Sequence, residues 1–130
     1  MPVMTKISTL WIVVLFNMIF ADVLSYMYPG FLAEITTGIV EGVTITPMLL
    51  IVAAIFVEIA ILMIYLSRVL SQSTNRIVNL VAVVITLAFV IGGGSLKPHY
   101  IFFASFEVIA LLYIGYLSWK WREDAALTPR

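Results

Sequence analysis

The chain has 130 residues, of which 63% are apolar and 11% are charged, whereas soluble domains are nearer half apolar and a quarter charged. A chain this apolar cannot cover itself with polar groups, so its exterior must face lipid. The zero net charge offers nucleic acid no basic surface, and the lack of cysteine excludes disulfides and thiolate metal sites. A single His cannot ligate haem on both sides, so we expect no cofactor and no metal site.

Four apolar runs are each long enough to cross the ~30 Å hydrocarbon core of a bilayer. The predicted fold is therefore all-α, a single transmembrane domain over 1–130 that forms an up-down-up-down four-helix bundle. Turn residues such as Pro29-Gly30 separate the runs, and Thr46-Pro47 predicts an N-cap and a first helical residue for the second. The predicted spans are about 7–28, 47–67, 77–95 and 99–119.

The outer loop, residues 29–46, is the longest predicted connection. Its apolar residues recur at helical spacing, with Glu34 and Glu41 between them, which predicts a short amphipathic helix at the outer interface; an irregular loop is the alternative. This apolar stripe consists of Phe31, Leu32, Ile35, Ile39 and Val43.

Lys and Arg predict the orientation, because cytoplasmic loops carry an excess of both. Six of the seven lie on one side of the four spans, and only Lys97 lies on the other. We therefore expect a multi-pass protein of the cytoplasmic (inner) membrane with its N-terminus and C-terminus both cytoplasmic. The six are Lys6, Arg68, Arg76, Lys120, Arg122 and Arg130.

Polar residues inside the spans are the best functional pointers, because an ionisable group in hydrocarbon costs several kcal/mol and is expected to face the bundle interior. At 1.5 Å per residue, Asn17 and Glu58 lie near mid-membrane, whereas Asp22 and Glu107 lie in the outer half. With Tyr100 at its edge, this set predicts a ligand or ion pocket open to the outer side and centred on the two Glu residues. No basic residue lies among them, so we expect at least one Glu to hold a proton or a cation at neutral pH.

Each predicted helix also carries one polar or small-residue stripe, and four such stripes can converge in a bundle core. On the second helix this stripe runs through Ala54, Glu58, Ile61 and Tyr65. Asn79 with Arg76 is expected to join helices at the cytoplasmic end, and His99 is expected to be a solvated loop residue.

Several short segments together carry a resemblance: Ala21-Asp22-Val23-Leu24 before Pro29-Gly30, Glu58-Ile59 before Met63-Ile64 and Leu66-Ser67-Arg68, Asn75-Arg76 with Asn79, and Tyr100-Ile101-Phe102-Phe103 before Glu107. With these segments the chain resembles, over about residues 7–121, an uncharacterised family of small four-span prokaryotic membrane proteins, a domain of unknown function. The resemblance implies the fold and the membrane location, in an architecture loosely similar to DoxX-like proteins, and implies no activity.

The leading functional hypothesis is that the protein binds or transports a small molecule or an ion with proton coupling at the predicted carboxylate pocket. Transport by so small a chain needs a homo-oligomer. One alternative is a structural or accessory membrane subunit whose buried acids only fix helix packing. Another is a membrane enzyme that acts on a lipid or quinone, with two carboxyls as acid and base, although no nucleophile or metal motif supports it.

Overall fold

A computed structural model describes residues 2–121, so Arg122 and Arg130 lie outside the described part of the chain. Four long helices and one short helix make up most of it, together with a two-stranded hairpin. In chain order these elements are α1 (Val3–Ser25), α2 (Phe31–Thr37), β1 (Ile39–Val40), β2 (Val43–Thr44), α3 (Pro47–Val69), α4 (Gln72–Gly92) and α5 (Pro98–Lys120).

The four long helices form a ring in which α1 packs against α3 and α5, and α4 packs against the same two helices. Helices that follow one another in the chain are neighbours in the ring, which confirms the predicted all-α four-helix bundle. The helices α3 and α5 therefore occupy opposite corners. Each long helix is apolar and long enough to cross a membrane, and large apolar side chains cover the outside of the bundle. This is the architecture of a multi-pass membrane protein.

The two ends of the bundle differ in structure. The terminal end holds Pro2, the α3–α4 turn at residues 70–71 and the end of α5, whereas the loop end holds residues 26–46 and 93–97.

Thr46 caps α3 as predicted, because its Oγ1 accepts a hydrogen bond from the Leu49 amide at 3.1 Å. At the end of α4, a Cβ on Gly94 would lie 2.9 Å from the Val90 carbonyl oxygen, so only glycine fits there.

The loop between α1 and α3 contains the predicted short helix, but this helix ends at Thr37. The last two residues of the apolar stripe, Ile39 and Val43, instead belong to an antiparallel hairpin. Its turn is Glu41-Gly42, and both residues have positive φ, at 50° and 81°. Two adjacent residues of positive φ suit the twist of a tight hairpin, and the flanking β-branched residues favour strands. The turn at Glu41-Gly42 and the β-branched residues beside it therefore decide the structure of residues 39–44, and the helical spacing of the apolar residues does not.

The core lies between the inward faces of the ring and contains small and branched side chains around Trp11. The helices α4 and α5 bury most of the polar or small-residue stripe that the sequence predicts, and α1 buries Ala21 and Ser25 of its stripe but leaves Asp22 exposed. On α3 the prediction was wrong: the Glu58 stripe faces outward, and the residues buried there are Ala60, Met63 and Ser67. Small or flexible side chains allow α3 to approach its neighbours closely, and this packing decides its inward face.

Candidate functional site

Glu107 is the buried acid of the bundle. It lies on α5, and only 3% of its surface is exposed. Within residues 2–121, its carboxyl group has no hydrogen-bond donor and no ion-pair partner. Burying a carboxylate without a partner is costly inside a membrane.

Asn17 lies at the same level as Glu107. The register follows from a contact between α1 and α5, in which Ser25 Oγ lies 2.9 Å from His99 Nε2. The two helices are antiparallel and rise equally per residue. Asn17, eight residues before Ser25, therefore lies level with Glu107, eight residues after His99. The Asn17 side-chain amide donates to the Val13 carbonyl at 2.8 Å, which leaves its side-chain oxygen to accept from another group.

Asp22 and Tyr100 lie closer to the loop end. The charges of Asp22 and Glu107 lie within electrostatic range of each other and of the Tyr100 phenol. Asp22 is exposed at the edge of α1, and Tyr100 is half-buried. Tyr100 also lines a groove of about 460 Å³ between the end of α4 and the first half of α5. The structure therefore brings four of the five predicted site residues to one region between α1 and α5.

The basic residue of this region is already engaged. Lys97 is the one Lys or Arg between Arg76 and Lys120, and it forms an ion pair with Glu41 at the hairpin turn. Its Nζ also lies 5.1 Å from the ring centroids of Tyr28 and Phe31. The hydrogen bond from Lys97 to the carboxylate holds the pKa of Glu41 below its usual value. Lys97 therefore neutralises Glu41 and does not pair with Glu107.

His99 differs from the solvated loop residue expected from the sequence. It lies in the first turn of α5, is half-buried and packs against the Tyr28 ring. The Ser25 hydroxyl also lies 2.8 Å from the Ala21 carbonyl oxygen. When the hydroxyl donates to that carbonyl, it accepts from His99 Nε2 in the tautomer that carries a proton on Nε2. A hydrogen bond from a serine hydroxyl to the carbonyl four residues earlier is common on helices. Nothing in the sequence indicates that Ser25 also contacts His99.

Glu58, the fifth predicted site residue, lies apart from the others. It is exposed on α3, at the corner of the ring opposite α5. Glu58 and Glu107 therefore do not line one common cavity in this chain. The rule that acids face inward identified the face of α5 correctly and failed on α3.

A family model for a "family of unknown function (DUF6326)" matches residues 4–128 of the chain. The chain belongs to this family. No curated protein and no solved structure matches it. The resemblance to an uncharacterised family is thereby confirmed, and membership in DUF6326 brings no activity to transfer. The likeness to DoxX-like architecture stays an expectation.

A second polar cluster of this DUF6326 member lies at the terminal end, and its central residue, Asn79, is fully buried. Asn79 on α4 accepts a hydrogen bond from the Trp11 indole at 2.8 Å and one from the Ser67 hydroxyl at 3.3 Å. Arg76 donates to the backbone carbonyls of Ser118 and Trp119. The prediction that Asn79 and Arg76 join helices at this end is confirmed. Because Asn79 accepts from the Trp11 indole on another helix, this cluster holds helices together.

Proposed function

We propose that this membrane protein binds a small cation, the proton included, at Glu107, with Asn17, Asp22 and Tyr100 around it. The observation that carries the proposal is Glu107 itself, a residue with 3% of its surface exposed whose carboxyl group has no partner within the described residues. The nearby Asp22 adds a second negative charge, and Lys97 is taken up by Glu41. Two acids without a basic partner form a region that gains stability when a cation enters.

The loop end is the outer side in this proposal, because Lys6, Arg68, Arg76 and Lys120 lie at the terminal end. A cation would then reach Glu107 from outside, through the region of Asp22 and Tyr100. Exchange of a proton for another cation at one carboxyl couples the two species, which is how ionisable residues inside a membrane serve in carriers.

The direct test is infrared difference spectroscopy of the purified chain in lipid nanodiscs. A protonated carboxyl has a carbonyl stretch that an ionised carboxylate lacks. We expect such absorption at neutral pH in sodium-free and potassium-free buffer, and we expect Glu107→Gln to remove the component that comes from Glu107. The probes are Na⁺, K⁺ and methylammonium, added one at a time. At least one probe should reduce the band in the wild type by displacing the proton.

Glu58→Gln is the matched control, since it makes the same chemical change on the opposite corner of the bundle. A probe-dependent band that survives Glu58→Gln and disappears with Glu107→Gln supports the proposal. If no probe changes the spectrum, or if Glu107→Gln leaves every probe response intact, Glu107 serves only in helix packing. In that case the accessory-subunit hypothesis takes its place.

A further inference from the structure

The helix α3 is the least covered helix of the bundle. Of the residues in its most apolar stretch, 11% are buried inside the protein, compared with 28–39% for the other three long helices. Its fully buried residues are Ala60, Met63 and Ser67, and partly buried residues such as Val57 and Ile64 pack beside them. The opposite side of α3 faces the surroundings of the bundle.

The exposed side of α3 contains a regular seam. Ile51, Ile55, Glu58, Leu62 and Tyr65 follow one another at intervals of four, three, four and three residues, and all five are exposed. We call these five residues the Glu58 seam. This alternation keeps side chains on one stripe of a helix and is the spacing by which two helices interlock in a left-handed coiled coil. Transmembrane bundles use the same packing geometry.

Glu58 occupies the centre of the seam and the middle of the 23-residue helix α3. A carboxyl group directed into lipid at this depth costs several kcal/mol unless another group pairs with it. The helices packed against α3 are α1 and α4, and their charged residues Lys6, Asp22 and Arg76 lie near the helix ends. The partner of Glu58 must therefore come from outside the described chain.

A second copy of this chain meets that requirement. A protonated carboxyl group donates through its hydroxyl and accepts through its carbonyl oxygen, so two such groups can bond to each other reciprocally. Copies inserted in the same orientation place Glu58 at the same depth, and a twofold axis along the membrane normal brings identical seams together. A different protein would need a polar group at this depth by coincidence.

We propose that the protein forms a parallel homodimer through α3, in which the Glu58 seams interlock and the two Glu58 carboxyl groups bond to each other. Polar residues within apolar seams fix the register and the number of helices. This inference is independent of the cation site, since Glu58 and Glu107 occupy opposite corners of the ring.

Cysteine cross-linking tests the interface directly, because the natural chain contains no cysteine. Ile55→Cys and Leu62→Cys place a thiol on the seam. Ile109→Cys is the control, because Ile109 is 63% exposed on α5 and lies as many residues from the loop end as Glu58 does. The full-length variants are purified, reconstituted into liposomes at low protein density and oxidised with copper phenanthroline.

We expect rapid disulfide formation at the two seam positions and little at Ile109→Cys. In the Ile55→Cys background, Glu58→Leu should weaken dimerisation about threefold to thirtyfold, the range measured for polar contacts between membrane helices. Glu58→Gln should retain the dimer, since an amide also both donates and accepts. The Cys variants with native Glu58 keep the test valid even if Glu58→Leu does not fold.

Two results would overturn the proposal. Equal cross-linking at Ile109→Cys and Ile55→Cys would indicate random collision and no defined interface. Cross-linking or Glu58 dependence that occurs in cell membranes, but not with the purified chain, would show that a different protein covers α3.

Discussion

The buried Asn79 cluster at the terminal end gives the sharpest prediction about stability. Replacing Asn79 with Leu keeps a side chain of similar size in the core and removes every polar atom of that side chain. Trp11 then loses the acceptor of its indole N–H, at present 2.8 Å away, and Ser67 loses the acceptor at 3.3 Å. Asn75, one turn earlier on the same helix, loses the amide that donates to its side-chain oxygen. All three residues are fully buried, so water cannot replace the lost contacts.

The magnitude follows from the two of these contacts that join different helices, those with Trp11 and Ser67. Hydrogen bonds between membrane helices average about 0.6 kcal/mol, so the two together contribute about 1.2 kcal/mol. An indole N–H left unpaired in the core adds a penalty of about 1–3 kcal/mol. Asn79→Leu should therefore lower the free energy of unfolding by about 2–4 kcal/mol.

The control is Asn17→Leu, which makes the same chemical change where the side-chain amide, as far as residues 2–121 show, bonds only within its own helix, to Val13. Unfolding by dodecyl sulfate in mixed micelles, followed by circular dichroism, measures both variants. A double-mutant cycle with Trp11→Phe should give a coupling energy well above zero, because both changes remove one bond. The reasoning is refuted if Asn79→Leu costs no more than Asn17→Leu, or if the cycle shows no coupling.

Two further predictions concern the loop end. The pKa of Glu41 is lowered chiefly by the hydrogen bond from Lys97, so the ion pair stabilises the hairpin fully above the ordinary pKa of 4.5 and is lost as the pH falls through the lower folded value. The hydrogen-exchange rate of the amides of residues 39–44, divided by the rate in Glu41→Gln at the same pH, should therefore rise in that acidic range. Identical pH profiles for the wild type and Glu41→Gln would contradict this. Gly94→Ala should lower the melting temperature, because its Cβ would lie 2.9 Å from the Val90 carbonyl, whereas Gly92→Ala, which meets no atom within 4 Å, should change it much less.

The sequence predicted the region of Glu107 but not the outward position of Glu58. Burial of α5 follows from its own pattern, because its polar and small residues lie on one face. The rule that acidic residues face the bundle interior failed on α3. The sequence pattern around a glutamate on the outer face of a helix does not differ from the pattern around one on the inner face. The contact of Ser25 with His99 and the ion pair of Lys97 with Glu41 were also missed, because the partners are 74 and 56 residues apart.

By itself, the sequence determined that this is a multi-pass membrane protein built from four apolar helices. Helix length and the absence of polar surface depend on local composition, and the thickness of the bilayer sets the required length. Only the tertiary structure decided which acids share a region, because the ring order places α1 beside α5 and separates α3 from α5. Each helix can satisfy its backbone alone, so its rotation about its axis is decided by packing against its neighbours.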